Sequence, residues 1–166
     1  MMGLENGSYY ISWFTIFTAI IAVQSFIIVV VLGIGALNNV NMVIFFIFSC
    51  LYSFTMYGVA FFIVAILPTR RSSVIAASLY HFITYCFTKL MQDPATPSHT
   101  QYILSLFPNV CMNQCVKLIF FYNFNTTSGL RWSNFTLSYQ GFSFSNGMLI
   151  MFFDFLLWTG LGLYLD

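Results

Sequence analysis

Two stretches without a single charged residue, 9–37 and 42–67, constrain this chain more than any other feature. At about 1.5 Å rise per residue each is longer than the roughly 30 Å hydrocarbon layer of a bilayer, so each can cross one as a tilted helix. The polar turn between them, Asn38-Asn39-Val40-Asn41, forces the two helices into an antiparallel hairpin. Composition agrees. The 166 residues are 60% hydrophobic and 5% charged, with five Lys/Arg and four Asp/Glu, whereas a soluble domain carries about a quarter charged residues. Nine charges could not supply the polar shell that a soluble core of this size needs. The chain therefore reads as a multi-pass integral membrane protein of the plasma membrane or an endomembrane. A net charge of +1 gives no electrostatic ground for a nucleic-acid or acidic partner. Residues 1–12 hold Glu5 and no Lys or Arg, so the first apolar run is expected to be a span rather than a cleaved leader.

Beyond the hairpin the pattern is less uniform. Pro68-Thr69-Arg70-Arg71-Ser72-Ser73 combines a helix breaker with the only adjacent basic pair and reads as a loop at one membrane face. A third span over 74–91 carries His81 and ends near Lys89 and the polar stretch 92–100. Segment 101–122 is apolar again, but Pro108, Asn109, Asn113, Gln114 and Lys117 are too many polar groups for a helix surrounded by lipid. A re-entrant or interfacial hairpin shielded by protein suits it better. Residues 123–145 form a polar, aromatic loop, and a final span over 146–166 carries Asp154. The expected fold is all-α, with four transmembrane helices and a re-entrant helical hairpin.

Two independent signals orient it. Arg70 and Arg71 place their loop in the cytoplasm by the positive-inside tendency, a bias diluted by Lys89, Lys117 and Arg131 on the other side. The sequons Asn125-Thr126-Thr127 and Asn134-Phe135-Thr136 then fall outside the cell or in a lumen, making Asn125 and Asn134 the glycosylation candidates. A third, Asn6-Gly7-Ser8, faces the cytoplasm on this reading and stays bare.

Chemistry is sparse. The chain has no GxxxxGK[ST], GxGxxG, HExxH or GxSxG, so no nucleotide hydrolysis or other catalysis, and no bound cofactor, is expected of these residues. Ionisable groups inside a bilayer are costly and often functional, which singles out His81 and Asp154. The plainer reading of His81, among Tyr80, Phe82 and Tyr85, is a neutral hydrogen-bonded packing residue. That of Asp154 is a bond to a polar group on a neighbouring helix; a pathway or proton-handling role is the alternative for both. An intramembrane enzyme built on this pair lacks a partner residue to complete a known constellation. Cys50, Cys86, Cys111 and Cys115 have no metal-site spacing. Cys111 and Cys115 share one helix face, either as packed thiols or as a disulfide across a turn. Tyr9, Tyr10, Trp13 and Trp132 fit interfacial belts, and Gly33, Gly35, Gly58, Gly160 and Gly162 permit close helix approach.

Three stretches resemble ABCA-type ATP-binding-cassette lipid transporters. Met2-Gly3-Leu4-Glu5-Asn6 followed by Ile11-Ser12-Trp13-Phe14 is similar to the Met-Gly-Leu-acidic…Ser-Trp-Phe signature that enters the third span of a transmembrane half. Gly129-Leu130-Arg131-Trp132-Ser133-Asn134, with Gly141-Phe142-Ser143-Phe144 after it, resembles the Gly-apolar-Gln-Trp-x-Asn element, Arg131 standing where Gln is usual. Met151-Phe152-Phe153-Asp154 and Tyr164-Leu165-Asp166 are similar to motifs of the sixth span. Asn123, Asn125 and Thr126 stand where acidic residues usually precede the Gly-x-x-Trp element. The resemblance covers nearly the whole chain. It implies that the four spans correspond to spans three to six of a first transmembrane domain, and that 101–122 is the V-shaped hairpin before the last. It also implies a share in a lipid pathway, with ATP and magnesium held by nucleotide-binding domains elsewhere in a longer parent. The alternative is a small stand-alone polytopic protein, such as a channel subunit or scaffold.

Overall fold

A computed structural model describes residues 6–67, 69–90, 97–126 and 129–165. The chain order is α1 (Asn6–Gly35), α2 (Met42–Ile66), α3 (Arg70–Leu90), α4 (Ser98–Leu104), α5 (Pro108–Asn125), β1 (Ser138–Tyr139), β2 (Phe142–Ser143) and α6 (Phe144–Leu165). Three of these helices have stretches long and apolar enough to cross a membrane: Tyr10–Gly35, Met42–Ile66 and Phe144–Leu165. The chain is thus predominantly helical, with the character of a multi-pass membrane protein.

α2 and α6 run parallel and form the centre of the bundle. Phe48 meets Phe144, the Thr55 hydroxyl donates to the Met151 carbonyl at 3.0 Å, Phe54 meets Phe155, and Phe62 meets Trp158. Glycines allow this approach. A Cβ on Gly58 would lie 2.8 Å from Thr159 Oγ1, and one on Gly162 would lie 2.4 Å from Phe61 Cδ1. Gly35 and Gly160, by contrast, have open space where a Cβ would go, so only part of the small-residue set expected to let helices approach does so. Gly162→Leu should therefore cost about 1–3 kcal/mol by overpacking, whereas Gly160→Leu should leave thermal unfolding in detergent unchanged. Equal melting shifts for the two would rule out this helix pairing.

The α1–α2 turn is built by its asparagines. Asn41 has extended backbone angles and its Oδ1 accepts from the Val43 and Ile44 amides, so it is the N-cap of α2. The turn is held from outside by Asn123 near the end of α5. Asn123 Oδ1 accepts from the Asn39 amide at 3.2 Å, and its Nδ2 donates to the Ala36 carbonyl at 3.0 Å. The Asn41 amide donates to the Leu130 carbonyl.

Several boundaries differ from those read in the sequence. α3 starts at Arg70, not at 74, because the Ser73 amide and hydroxyl both donate to the Thr69 carbonyl and close a first turn after Pro68. Pro68 and 91–96, including the expected last residue of the third span, lie outside the described residues. The segment 101–122 is split into α4 and α5 by a break at 105–107. Pro108 begins α5 rather than breaking it, since a first-turn residue needs no backbone N–H. The expected loop 123–145 begins inside α5 and contains an antiparallel hairpin with Ser138 opposite Ser143. Its turn, Gln140-Gly141, has positive φ at both residues, the arrangement that matches strand twist. Gln101 Nε2 donates to the Gln140 carbonyl and ties the hairpin to α4.

Candidate functional site

The polar groups of the bundle converge on the first turn of α5. Asn109 Oδ1 accepts from the Tyr52 hydroxyl of α2 at 2.9 Å. Its Nδ2 lies 3.0 Å from His81 Nδ1 and donates to Thr84 Oγ1 at 2.8 Å, both on α3. One side chain therefore bonds three residues on two other helices. An amide nitrogen can only donate, so His81 Nδ1 is the acceptor in this arrangement. Thr84 is buried and its hydroxyl donates back to the Tyr80 carbonyl. His81, Thr84, Tyr52 and Asn109 line a cleft of about 320 Å³ with Tyr85, Thr88, Lys89, Met112 and Asn113.

Asp154 lies on α6, 2% exposed, within electrostatic reach of Tyr80 and Cys111. Its Oδ2 and the Tyr80 hydroxyl are both buried without a hydrogen-bond partner among the described residues. His81 does make a cross-helix bond, to Asn109, although its side chain is exposed on the cleft side. The structure does not join His81 and Asp154 by any described hydrogen bond; Tyr80 meets the His81 ring edge-on and is within electrostatic reach of Asp154. Cys111 and Cys115 are fully buried free thiols, and Cys111 Sγ contacts the Gly147 carbonyl at 3.3 Å. Among the described residues no cluster of His, Cys, Asp and Glu could hold a metal ion.

Arg70 and Arg71 are exposed in the first turn of α3, at the opposite end of that helix from Lys89. Asn125 is exposed at the end of α5 and its Nδ2 donates to the Phe121 carbonyl; Thr127 of its sequon lies outside the described residues. Asn134 is half-buried and structural: its Oδ1 accepts from the Arg131 amide and its Nδ2 donates to the Gly129 carbonyl at 2.6 Å. Gly129 has φ +62°, and a Cβ there would lie 1.8 Å from the Asn39 carbonyl oxygen. The Gly-Leu-Arg-Trp-Ser-Asn stretch is therefore the clasp that seats the α1–α2 turn, with Leu130 fully buried behind it.

No family model matches the chain. It is similar to ATP-binding cassette sub-family A member 17 of Rattus norvegicus, with 25% identity over 161 residues. The likeness is a distant link to ABC transporters. It covers 93% of this chain but 9% of that protein, so the chain spans a small part of the relative's length. Apolar helices and this link together fit a membrane part connected with transport.

Proposed function

We propose that this chain is a membrane-spanning part of an ATP-driven lipid transporter of the ABCA type, contributing helices to the path by which lipid passes between leaflets. The observation that carries the reading is the alignment over 93% of the chain with one short region of a sub-family A member. On this reading α1, α2, α3 and α6 are four spans, and α4 with α5 is a hairpin dipping into the membrane. Three features support it. Asn109, in the first turn of α5, bonds Tyr52, ten residues into α2, a depth of roughly 15 Å by helix rise. The other end of α5 is level with the α1–α2 turn, where Asn123 bonds Asn39. α3 keeps His81 and Thr84 toward α5 while Val74, Ile75, Leu79, Phe82 and Ile83 stay exposed, as a polar-striped helix in lipid would.

An apolar cavity of about 240 Å³ between α1, α2 and α5, lined among others by Ile28, Leu32, Phe45, Phe48, Met112 and Ile119, has room for part of an acyl chain. The chain itself neither binds nor hydrolyses ATP on this reading. ATP and magnesium act at nucleotide-binding domains of the longer parent, which with the remaining transmembrane helices are its partners. Their closure would shift the cytoplasmic ends near Ser12 and Thr69 and repack the spans.

Sequencing the transcript past both ends of the chain tests the proposal. An open frame running on into a GxxxxGK[ST] loop is the expected result. A stop codon after Asp166, with a product that conducts ions or scaffolds membranes alone, would replace the proposal with the small stand-alone protein. Topology is checked separately by endoglycosidase digestion of single-sequon variants. Sugar is expected on exposed Asn125, less on Asn134, whose amide is committed to Gly129, and none on Asn6. Sugar on Asn6 alone inverts the orientation.

A further inference from the structure

We propose that the chamber between α1, α2 and α5 is a binding site for a neutral membrane lipid with a free hydroxyl, which enters between α1 and α5 and stays as a resident ligand of the bundle. The proposal rests on the reading of this chamber as room for part of an acyl chain, and it adds the head group that the walls select. It is independent of which molecule the parent transports.

The two ends of the chamber differ. Leu32, Leu37 and Phe45 wall it near the α1–α2 turn, whereas Gln24 of α1 and Ser49, Tyr52 and Ser53 of α2 lie further along their helices from that turn. Ser49, Tyr52 and Ser53 share one face of α2, at the spacing of neighbours on a helix. The hydroxyls of Ser12, Thr15, Thr18, Thr55, Ser78 and Thr88 each donate to the carbonyl four residues back in their own helix. Those of Ser49 and Ser53 make no hydrogen bond among the described residues, nor does the Gln24 amide. Ser49 is 8% exposed. Unlike the fully enclosed Ser25 hydroxyl, its oxygen retains open surface, and the space that it faces is the chamber. A hydroxyl so placed carries a desolvation penalty that no protein group offsets. Tyr52 donates its proton to Asn109 Oδ1, so the Tyr52 oxygen remains as an acceptor.

One end of a mostly apolar space thus offers donors and acceptors side by side. A lipid hydroxyl uses both, donating to Tyr52 or Gln24 and accepting from Ser49 or Ser53. None of the residues lining the chamber is charged, so the phosphate or carboxylate of an anionic lipid would lose its water there without a counter-ion. The ligand comes from the bilayer, because Gln24, Leu32 and Phe120 border the chamber and are exposed on α1 and α5. The volume, about 240 Å³, admits a hydroxyl-bearing segment rather than a whole lipid, the remainder lying along α1.

The test photolabels the full chain in phosphatidylcholine nanodiscs with a diazirine analogue of octanol and maps the adducts by peptide mass spectrometry. Adducts are expected on chamber residues such as Met112 and Phe120. Excess octanol should suppress them at a mole fraction in the bilayer where octane or ionised octanoate does not. Ser49→Ala combined with Ser53→Ala should weaken protection by octanol about fivefold, the equivalent of one net hydrogen bond. Ser78→Ala removes a hydroxyl outside the chamber and should leave protection unchanged. Unfolding curves matching the unsubstituted chain show that the variants are folded; should the serine pair fail to fold, the comparison of octane with octanol decides alone. Equal protection by octane overturns the hydroxyl selection while keeping the chamber as room for hydrocarbon. Equal protection by octanoate overturns the neutral head group, and undiminished protection in the serine pair overturns the donors assigned. Adducts confined to residues outside the chamber overturn both the proposal and the acyl-chain reading beneath it. None of these outcomes depends on whether the reading frame continues into a nucleotide-binding domain.

Discussion

Gly129→Ala is expected to lose most of the folded protein, the largest effect of any conservative change in this chain. Two terms add. The left-handed backbone at φ +62° costs an L-residue about 1–2 kcal/mol. The new Cβ would also fall 1.8 Å from the Asn39 carbonyl oxygen and 2.5 Å from its carbon, which are backbone atoms and cannot rotate aside. The α1–α2 turn would have to leave its seat, breaking the Asn41–Leu130 bond and the three bonds that join Asn123 to Asn39 and Ala36. Gly129→Asn separates the terms, because asparagine tolerates positive φ but still carries the Cβ. If close approach dominates, both variants fail equally in monodisperse yield and thermal unfolding. An asparagine variant as stable as the original would mean that the turn does not sit against Gly129.

The second large effect is expected at Asn109. Asn109→Leu keeps the approximate volume but removes the acceptor for the Tyr52 hydroxyl and the donor to His81 and Thr84. Interhelical side-chain bonds in membranes average about 0.6 kcal/mol and reach about 1.7, so three together amount to roughly 2–5 kcal/mol. The loss should fall on the attachment of α3, whose principal neighbour is α5. Hydrogen exchange in α3 should therefore accelerate while α2 and α6 remain protected. A double-mutant cycle with Tyr52→Phe isolates the α2 bond. A coupling of zero would show that Asn109 is not the junction described.

The first two helices were legible because an uncharged run longer than a bilayer has one physical reading; α1 and α2 fall within a few residues of those runs, and α6 within two of the 146–166 span that Asp154 interrupts. α3 was harder. Its start depends on Ser73 hydroxyl and amide bonds to Thr69, which hydropathy does not register. The hairpin of Ser138–Tyr139 with Phe142–Ser143 was missed because two-residue strands are too short to alternate; the Gln-Gly turn was the available signal. Of the site, His81 was singled out by charge economy, but Asn109, which holds it, was seen only as one polar residue in an awkward segment. Pro108 directly before it, marking a helix start, was the overlooked clue. Asp154 was placed on a helix correctly, whereas its neighbours could not be, since Tyr80 lies on an element 74 residues away whose packing no local pattern reveals.

α1 is fastened at both ends, and between them it buries a single stripe, Ile21, Ser25 and Val29. Tyr10, Phe14 and Phe17 lean on Phe61, Phe54 and Tyr57 at one end, and the asparagine turn pins the other. Beside that stripe, Gln24, Ile28 and Leu32 line the 240 Å³ chamber, whose walls are mostly apolar. Such a chamber is larger than one of about 150 Å³ that accommodates benzene. Hydrostatic pressure should squeeze this void before the packed stripe beside it, and filling the void with hydrocarbon should stiffen the hairpin against that squeeze.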